Sequence, residues 1–404
     1  MYNNIYNLKK LIMLFKFNIF TLTFSFFLYL FSFLSYSQNL YWAGFAFIGN
    51  KDQSFRYPIA TDIFEQDNSI LSGTLRQTLS SIKRTDVNFI FETGKISKGD
   101  AISVAFGLSD ESLERIIGSY GVTTNYTIYG QVLVFDFVEK KVLANYPVIA
   151  TSTFTAKDMP SPDEDKKRFE TMYLNINDDA SIFSQWAKMF EKTKVKESTK
   201  MATMGVRDII LSEKTLESMP KSLKKNGVFK SRTAQELEAS IASIHNVPLI
   251  PYTIGEALGG KGSAGLATRF EDNVSIELKL PEKDFVFDIL IRGFKKNETE
   301  SDVQVQHLWG AYINVKLLGY EDSVIFSHNF RKIEEAIFSK SSEIKVLDNW
   351  IVYEVVLSNL IFDVMEQVKL KNEDGMKKLV KKDSDINVIK EGFKKIEEKF
   401  AQCI

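Results

Sequence analysis

The sequence predicts an α+β fold: two tandem domains, each a mixed sheet with a long antiparallel hairpin covered by helices. Three observations predict it. Residues 126–154 and 308–330 each read as two extended arms joined by a short polar turn, and the second alternates apolar and polar positions along both arms. That period of two marks a sheet covered on one side. Helical segments flank these hairpins, with apolar residues recurring every three or four positions. The order strand, helix, strand, hairpin, closing helix also occurs twice, which points to two related units.

The chain opens on Lys9, Lys10 and Lys16, an apolar run over 17–34, and Ser35-Tyr36-Ser37 before Gln38. A cationic front, an apolar middle and a small-x-small exit define a secretory signal over 1–37. The run approaches the roughly 20 residues that span a bilayer, so an uncleaved inner-membrane anchor stands as the alternative. No cysteine lies near the exit, which excludes lipid attachment there. The expected location is the periplasm or the periphery of the outer membrane.

In the first domain, 38–192, residues 40–47 read as a buried strand, 70–83 as a helix, and 87–92 as a strand. A further strand is expected over 100–108. Ser109 or Asp110 is then positioned to cap a short helix ending near Ser119. The hairpin runs out over 126–138, turns at Glu139-Lys140-Lys141 and returns over 142–154. Ile182, Phe183, Trp186, Met189 and Phe190 share one face of a helix over 181–191, with Asp178 or Asp179 as its expected cap. Residues 193–204 read as a linker.

The second domain, 205–369, starts with a strand at 206–211. Thr233-Ala-Gln-Glu236 has the form of a capping box opening a helix to Ile244. Strands at 247–252 and 285–294 and the hairpin 308–319/323–330 follow. A very apolar helix over 348–368 then closes the unit. Glu354, Asp363 and Glu366 make it a core helix rather than a membrane span. One short piece matches directly between the halves: Leu79-Ser-Ser-Ile82 before Val87, and Ile241-Ala-Ser-Ile244 before Val247. In the tail, 370–404, Ile386, Ile389, Phe393, Ile396 and Phe400 step by three and four. A seam of two heptads needs a surface, either its own domain or a partner, including a second copy.

Composition narrows the function. The chain has 51 basic and 52 acidic residues; the first 37 carry three lysines and no acid, so the rest holds 48 against 52, a net −4. A mildly acidic surface gives no reason to expect nucleic-acid binding. Cys403 is the single cysteine, so no disulfide forms within the chain.

The sharpest motif is the glycine loop Gly255-Glu-Ala-Leu-Gly-Gly260-Lys261-Gly262-Ser263. It approximates a phosphate-binding loop, but Gly262 stands where the magnesium-binding hydroxyl belongs, and Pro248 and Pro251 interrupt the strand before it. Gly255, Gly260, Lys261 and Ser263 therefore remain ligand-binding candidates of low specificity. His245, His307 and His328 have no metal-type spacing, and Asn175 to Asp179 lacks the glycine of a calcium loop. Asp136 and Asp288 lie in apolar strands that sequence does not bring together. Ser327 and His328 point to opposite faces of one strand. No catalytic residue, cofactor or metal is expected.

The order of elements resembles the small α/β domains of cell-envelope assembly proteins, the curli-secretion (CsgG) and TolB N-terminal families. The segments 247–255, 308–330 and 348–368 carry the resemblance, with 40–47, 127–154 and 181–191 as the first copy. It implies a non-enzymatic scaffold or accessory subunit of an envelope or secretion assembly. The alternative is an exported ligand-binding protein or enzyme whose site assembles from distant residues.

Overall fold

The computed structural model describes residues 38–49, 51–91, 102–118, 121–193, 201–224, 227–253, 265–270, 275–339 and 349–404. The expected signal at 1–37 and the glycine loop with Gly255, Gly260, Lys261 and Ser263 lie outside the described residues, as does 194–200 of the expected linker.

Among the described residues, strands form a seven-stranded and a four-stranded sheet. In the first, β1 (Gln38–Ile48) pairs in parallel with β2 (Val87–Ile90) and β3 (Ile102–Gly118). β3, β4 (Gly121–Asp136) and β5 (Lys141–Ala156) follow as an antiparallel meander. In the second, β6 (Met204–Leu211) pairs in parallel with β9 (Phe285–Glu300), and β9, β10 (Gln304–Leu318) and β11 (Val324–Ser339) repeat the meander.

The repeat extends to the irregularities. In β3 and β4, Leu108 faces Gly130 and Asp110 faces Tyr129, leaving Ser109 bulged. In β9 and β10, Ile291 faces Ile313 and Gly293 faces Tyr312, leaving Arg292 bulged. Positions 108, 110, 129 and 130 become 291, 293, 312 and 313, a constant step of 183. Bulges also match between Trp42/Gly44 and Val206/Asp208, and between Val134/Phe135 and Leu317/Leu318. Each bulge re-aims the strand beyond it, so shared bulges mean a shared sheet shape.

Helices cover one face of each sheet. In the first half these are α1 (Pro58–Gln66), α2 (Ser69–Ser80), α3 (Pro162–Leu174) and α4 (Ile182–Lys192). Ser161 opens α3 with a capping box to Glu164, and Pro162 takes the first turn, where its missing N–H costs nothing. Trp186, Phe183 and Phe190 of α4 are fully buried; Trp186 meets Trp42 edge-on at 5.8 Å. In the second half come the short α5 (Glu213–Ser218), α6 (Val228–His245), α7 (Asn349–Leu370), α8 (Glu373–Leu379) and α9 (Ile386–Gln402). Helix α6 lies between the sheets, against β5 on one side and β6 on the other. Helix α7 packs on β10 and β11 and also reaches β3. No helix among the described residues is long and apolar enough to cross a membrane.

Strands β7 (Gly265–Phe270) and β8 (Ser275–Lys279) come from the second half but join the first sheet. β7 pairs with β1 (Ala46 with Phe270), and β8 meets β5 at Lys141 and Lys279. Strands β1, β3, β4, β5, β8 and β7 thereby close a ring. Its filling is a separate cluster including Ala46, Ala105, Leu133, Phe135, Val142, Leu266, Phe270 and Leu278. Side chains fill a ring this small.

Several local expectations are corrected. Residues 109–118 continue β3 and form no helix. Ser109 is the bulge, and β4 supplies ladder partners out to Gly118. Strand pairing overrode a local capping signal. Thr233 does not cap α6. The helix starts at Val228 behind Gly227, whose φ of 63° suits glycine, and Thr233 Oγ1 bonds Phe229 O one turn back. Ser181, not Asp178 or Asp179, caps α4, while Asp178 Oδ1 accepts from Ala180 N. The strand expected at 247–252 reduces to one bridge, Leu249 with Asn145, plus a bond from Ile250 N to Met204 O. Pro248 and Pro251 withhold the donors a ladder needs. That bond still sets the segment beside β6, as β2 lies beside β1.

The tail seam lies on its own chain. Ile389, Phe393, Ile396 and Phe400 are buried and Ile386 nearly so, with α9 seated on β11 and α7. Gly392 makes the seat possible, since a Cβ there would collide with the Phe326 ring. These residues are buried within their own chain.

Candidate functional site

Charge is concentrated where the two halves meet. The bulge at Ser109 turns Asp110 to the back of the first sheet, toward α6, and leaves Glu111 facing the front helices. Asp110 is fully buried and takes two arginines, one from each half. Arg56 of the 3-10 turn Lys51–Arg56 donates from Nε at 3.1 Å and Nη2 at 2.9 Å to Oδ2. Arg232 of α6 donates from Nη2 to Oδ1 at 2.9 Å and to the Glu111 carbonyl at 3.0 Å. Arg56 also reaches Ser231 Oγ at 3.1 Å. Side chains 1%, 9% and 18% exposed leave water little part in balancing these charges, so each depends on the others.

Glu111 works on the front face. Its oxygens accept from Ile59 N and Ala60 N at 2.9 Å, the first free amides of α1, and from Tyr173 OH at 2.8 Å. A carboxylate there satisfies orphan donors and faces the positive end of the helix dipole. Burial outweighs these bonds and raises its pKa to about 7.

Three further carboxyls gather behind Asp110: Glu114 of β3, Glu236 of α6 and Glu354 of α7. Tyr129 of β4 donates to Glu236 Oε1 at 3.4 Å, and the Arg232 guanidinium lies 6.0 Å from the Tyr129 ring centre. Burial first, then the charge of Glu114, pushes Glu236 and Glu354 up to about 8. Burial also raises Glu114, against Arg232 and Ser112. All three carboxyls are half-buried by exposed area yet heavily enclosed by protein, which is why burial dominates. Glu236 also lines a groove of about 340 Å³ between the halves, with Lys188 and Lys192 of α4, Ser240 of α6, and Ser358 and Phe362 of α7.

The residues singled out from sequence do not assemble. Asp136 caps the β4–β5 turn through the amides of Val138 and Glu139, whereas Asp288 pairs with Arg207 in the other sheet. His245 bonds Met365 O at 3.0 Å, and burial lowers its pKa. His307 lies 3.7 Å from Glu298, and His328 3.8 Å from Asp385. Among the described residues no group of three ligand-type side chains is placed to hold a metal. Cys403 is buried at the end of α9, which pushes its thiol up to about 12. The junction cluster was missed because its members lie 54 and 122 positions apart. Its one sequence signal was the acidic pair Asp110-Glu111 just beyond the apolar stretch 104–108.

No family model matches this chain, and no curated protein does. Among solved structures, a minor lipoprotein from Acinetobacter baumannii is similar at a TM-score of 0.22 and 6% identity, over 46% of this chain and all of that one. A likeness that slight carries no functional argument.

Proposed function

We propose that this chain is an exported envelope protein of two tandem related α+β units, acting as a non-enzymatic scaffold or accessory subunit. Export rests on the cationic and apolar start of the sequence. Relatedness of the units is supported by the matched bulges and the constant step of 183.

The observation that carries the binding role is the outer face of the second sheet. The matching face of the first is covered by α6, α7 and the β7–β8 hairpin. Here Ile210, Ile333 and Ile337 are 41, 48 and 56% exposed, beside exposed Lys316, Ser327 and Asn329. Ile333 and Ile337 follow one another along the β11 edge and Ile210 lies on the opposite edge strand, so the exposed apolar side chains span this face as an interaction surface. Native mass spectrometry of the protein taken gently from the envelope fraction tests this reading. A subunit starting at Gln38 inside a larger assembly supports it; a lone processed monomer removes it.

A second reading, a small-ligand binder, is favoured by the groove between the halves. In that case the lone monomer gains thermal stability with a ligand, and Glu236→Gln changes its affinity.

A further inference from the structure

We propose that the junction between the two halves is a proton-gated coupling: Glu236 and Glu354 hold the halves together while protonated and loosen them when ionised. The geometry supplies the argument. Helix α6 is wedged between the sheets, so whatever pushes it off β5 separates the first sheet from the second.

The charges around it are few. β3 presents Asp110 and Glu114, with Glu111 turned to the opposite face, where it is held by α1. Arg115, farther along β3, is paired with Asp165 of α3. β4 presents Tyr129, α6 Arg232, Glu236 and the buried Glu238, α7 Glu354, and the 3-10 turn Arg56. β5 contributes the uncharged Pro147, Val148 and Ile149. Across the groove stand Lys188, paired with Asp179 at 3.2 Å, and Lys192. Asp110, Glu114, Glu236 and Glu354 thus share the Arg56 and Arg232 guanidiniums, and Asp110 already engages both. With all four ionised the junction carries two uncompensated negative charges in a poorly hydrated place. Protonating Glu236 and Glu354 restores balance, and each neutral carboxyl keeps a neighbour to bond: Tyr129 and Ser358 for Glu236, Trp350 for Glu354.

The sign follows from the direction of the shift. Both groups bind their protons more tightly folded than unfolded, so their contribution to the coupling is full below the ordinary glutamate value of 4.5, declines as pH rises and is gone above about 8. The same groups would make an exported protein respond to the pH of its surroundings.

Hydrogen exchange of the full chain at pH 6 and pH 9, corrected for intrinsic rates, reads this directly. Protection over 231–240 and 350–360 is expected to fall tenfold or more at pH 9, while 311–317 in the centre of the second sheet holds. In Glu236→Gln/Glu354→Gln that difference disappears. Equal loss of protection in all three segments overturns the proposal, as does an unchanged pH response in the double variant. Should the variant not fold, the wild-type contrast between segments decides alone.

Discussion

The two sheets share strand order, pairing and bulges, yet matched positions on their back faces carry different chemistry. In the first, Ala46, Ala105, Gly107, Leu133 and Phe135 point into the closed ring or its wall. Their counterparts in the second are Ile210, Asp288, Leu290, Lys316 and Leu318. Leu133 is fully buried, whereas Lys316 is exposed. One backbone plan therefore tolerates two opposite faces, and the side chains follow what covers them. Small residues appear where β7 and β8 close in: Gly107 sits so near Ile48 and Gln131 that any side chain would displace one of them. The second sheet has no such hairpin against it among the described residues, and it keeps an ion pair, Arg207 with Asp288, where the ring has an alanine. The lesson is that the repeat fixed the frame, and the β7–β8 insertion decided which face became core.

The comparison can be broken hardest at Asp110, whose counterpart is Gly293. Asp110→Ala strands two buried guanidiniums and is expected to cost about 3–5 kcal/mol in urea unfolding. A loss under about 1 kcal/mol would mean that the arginines find other partners and that the junction is not centred there. A matched pair at a step of 183 comes next. Leu133→Ala should cost about 2–5 kcal/mol through the cavity it leaves in the ring, and Lys316→Ala under about 0.5 kcal/mol. Similar losses at both sites would show that the outer face of the second sheet is not solvated in the free protein. Gly130→Ala places a methyl against the Phe106 ring, about 2.6 Å away, and should cost about 1–3 kcal/mol by overpacking. Its counterpart already holds the buried Ile313, so a neutral result would mean that the two sheets pack more alike than their side chains suggest. The smallest effect lies at the helix starts. Ser161→Ala removes the capping box of α3 and should lower stability by about 1 kcal/mol, read as a shift in Tm.

Much of this frame was legible in the chain. Extended arms about a polar turn located both hairpins, with alternation along 308–330, and the 3–4 spacing of Ile386, Ile389, Phe393, Ile396 and Phe400 located a helix that needed a surface. Three things were not legible. Ser109 and Asp110 looked like a helix start because capping residues and a bulge before a buried ion pair use the same side chains. Strands β7 and β8 were hidden in an insertion after the glycine loop, and their pairing with β1 is fixed by tertiary contact rather than local pattern. The arginines around Asp110 come from distant segments, so no spacing rule could assemble them. Sequence reading thus recovered local periodicity and lost what depends on distant strands meeting.

The ring also dictates an order of events. Ala46 waits for Phe270, and Lys141 for Lys279, so the first sheet cannot close until most of the chain is available. Closing contacts across such separations is slow, and until then β1 presents an unsatisfied edge that invites pairing with other chains. A chain threaded through a membrane from its N-terminus would therefore emerge with its first half incomplete. It would need either a holding partner or rapid passage until β7 and β8 arrive.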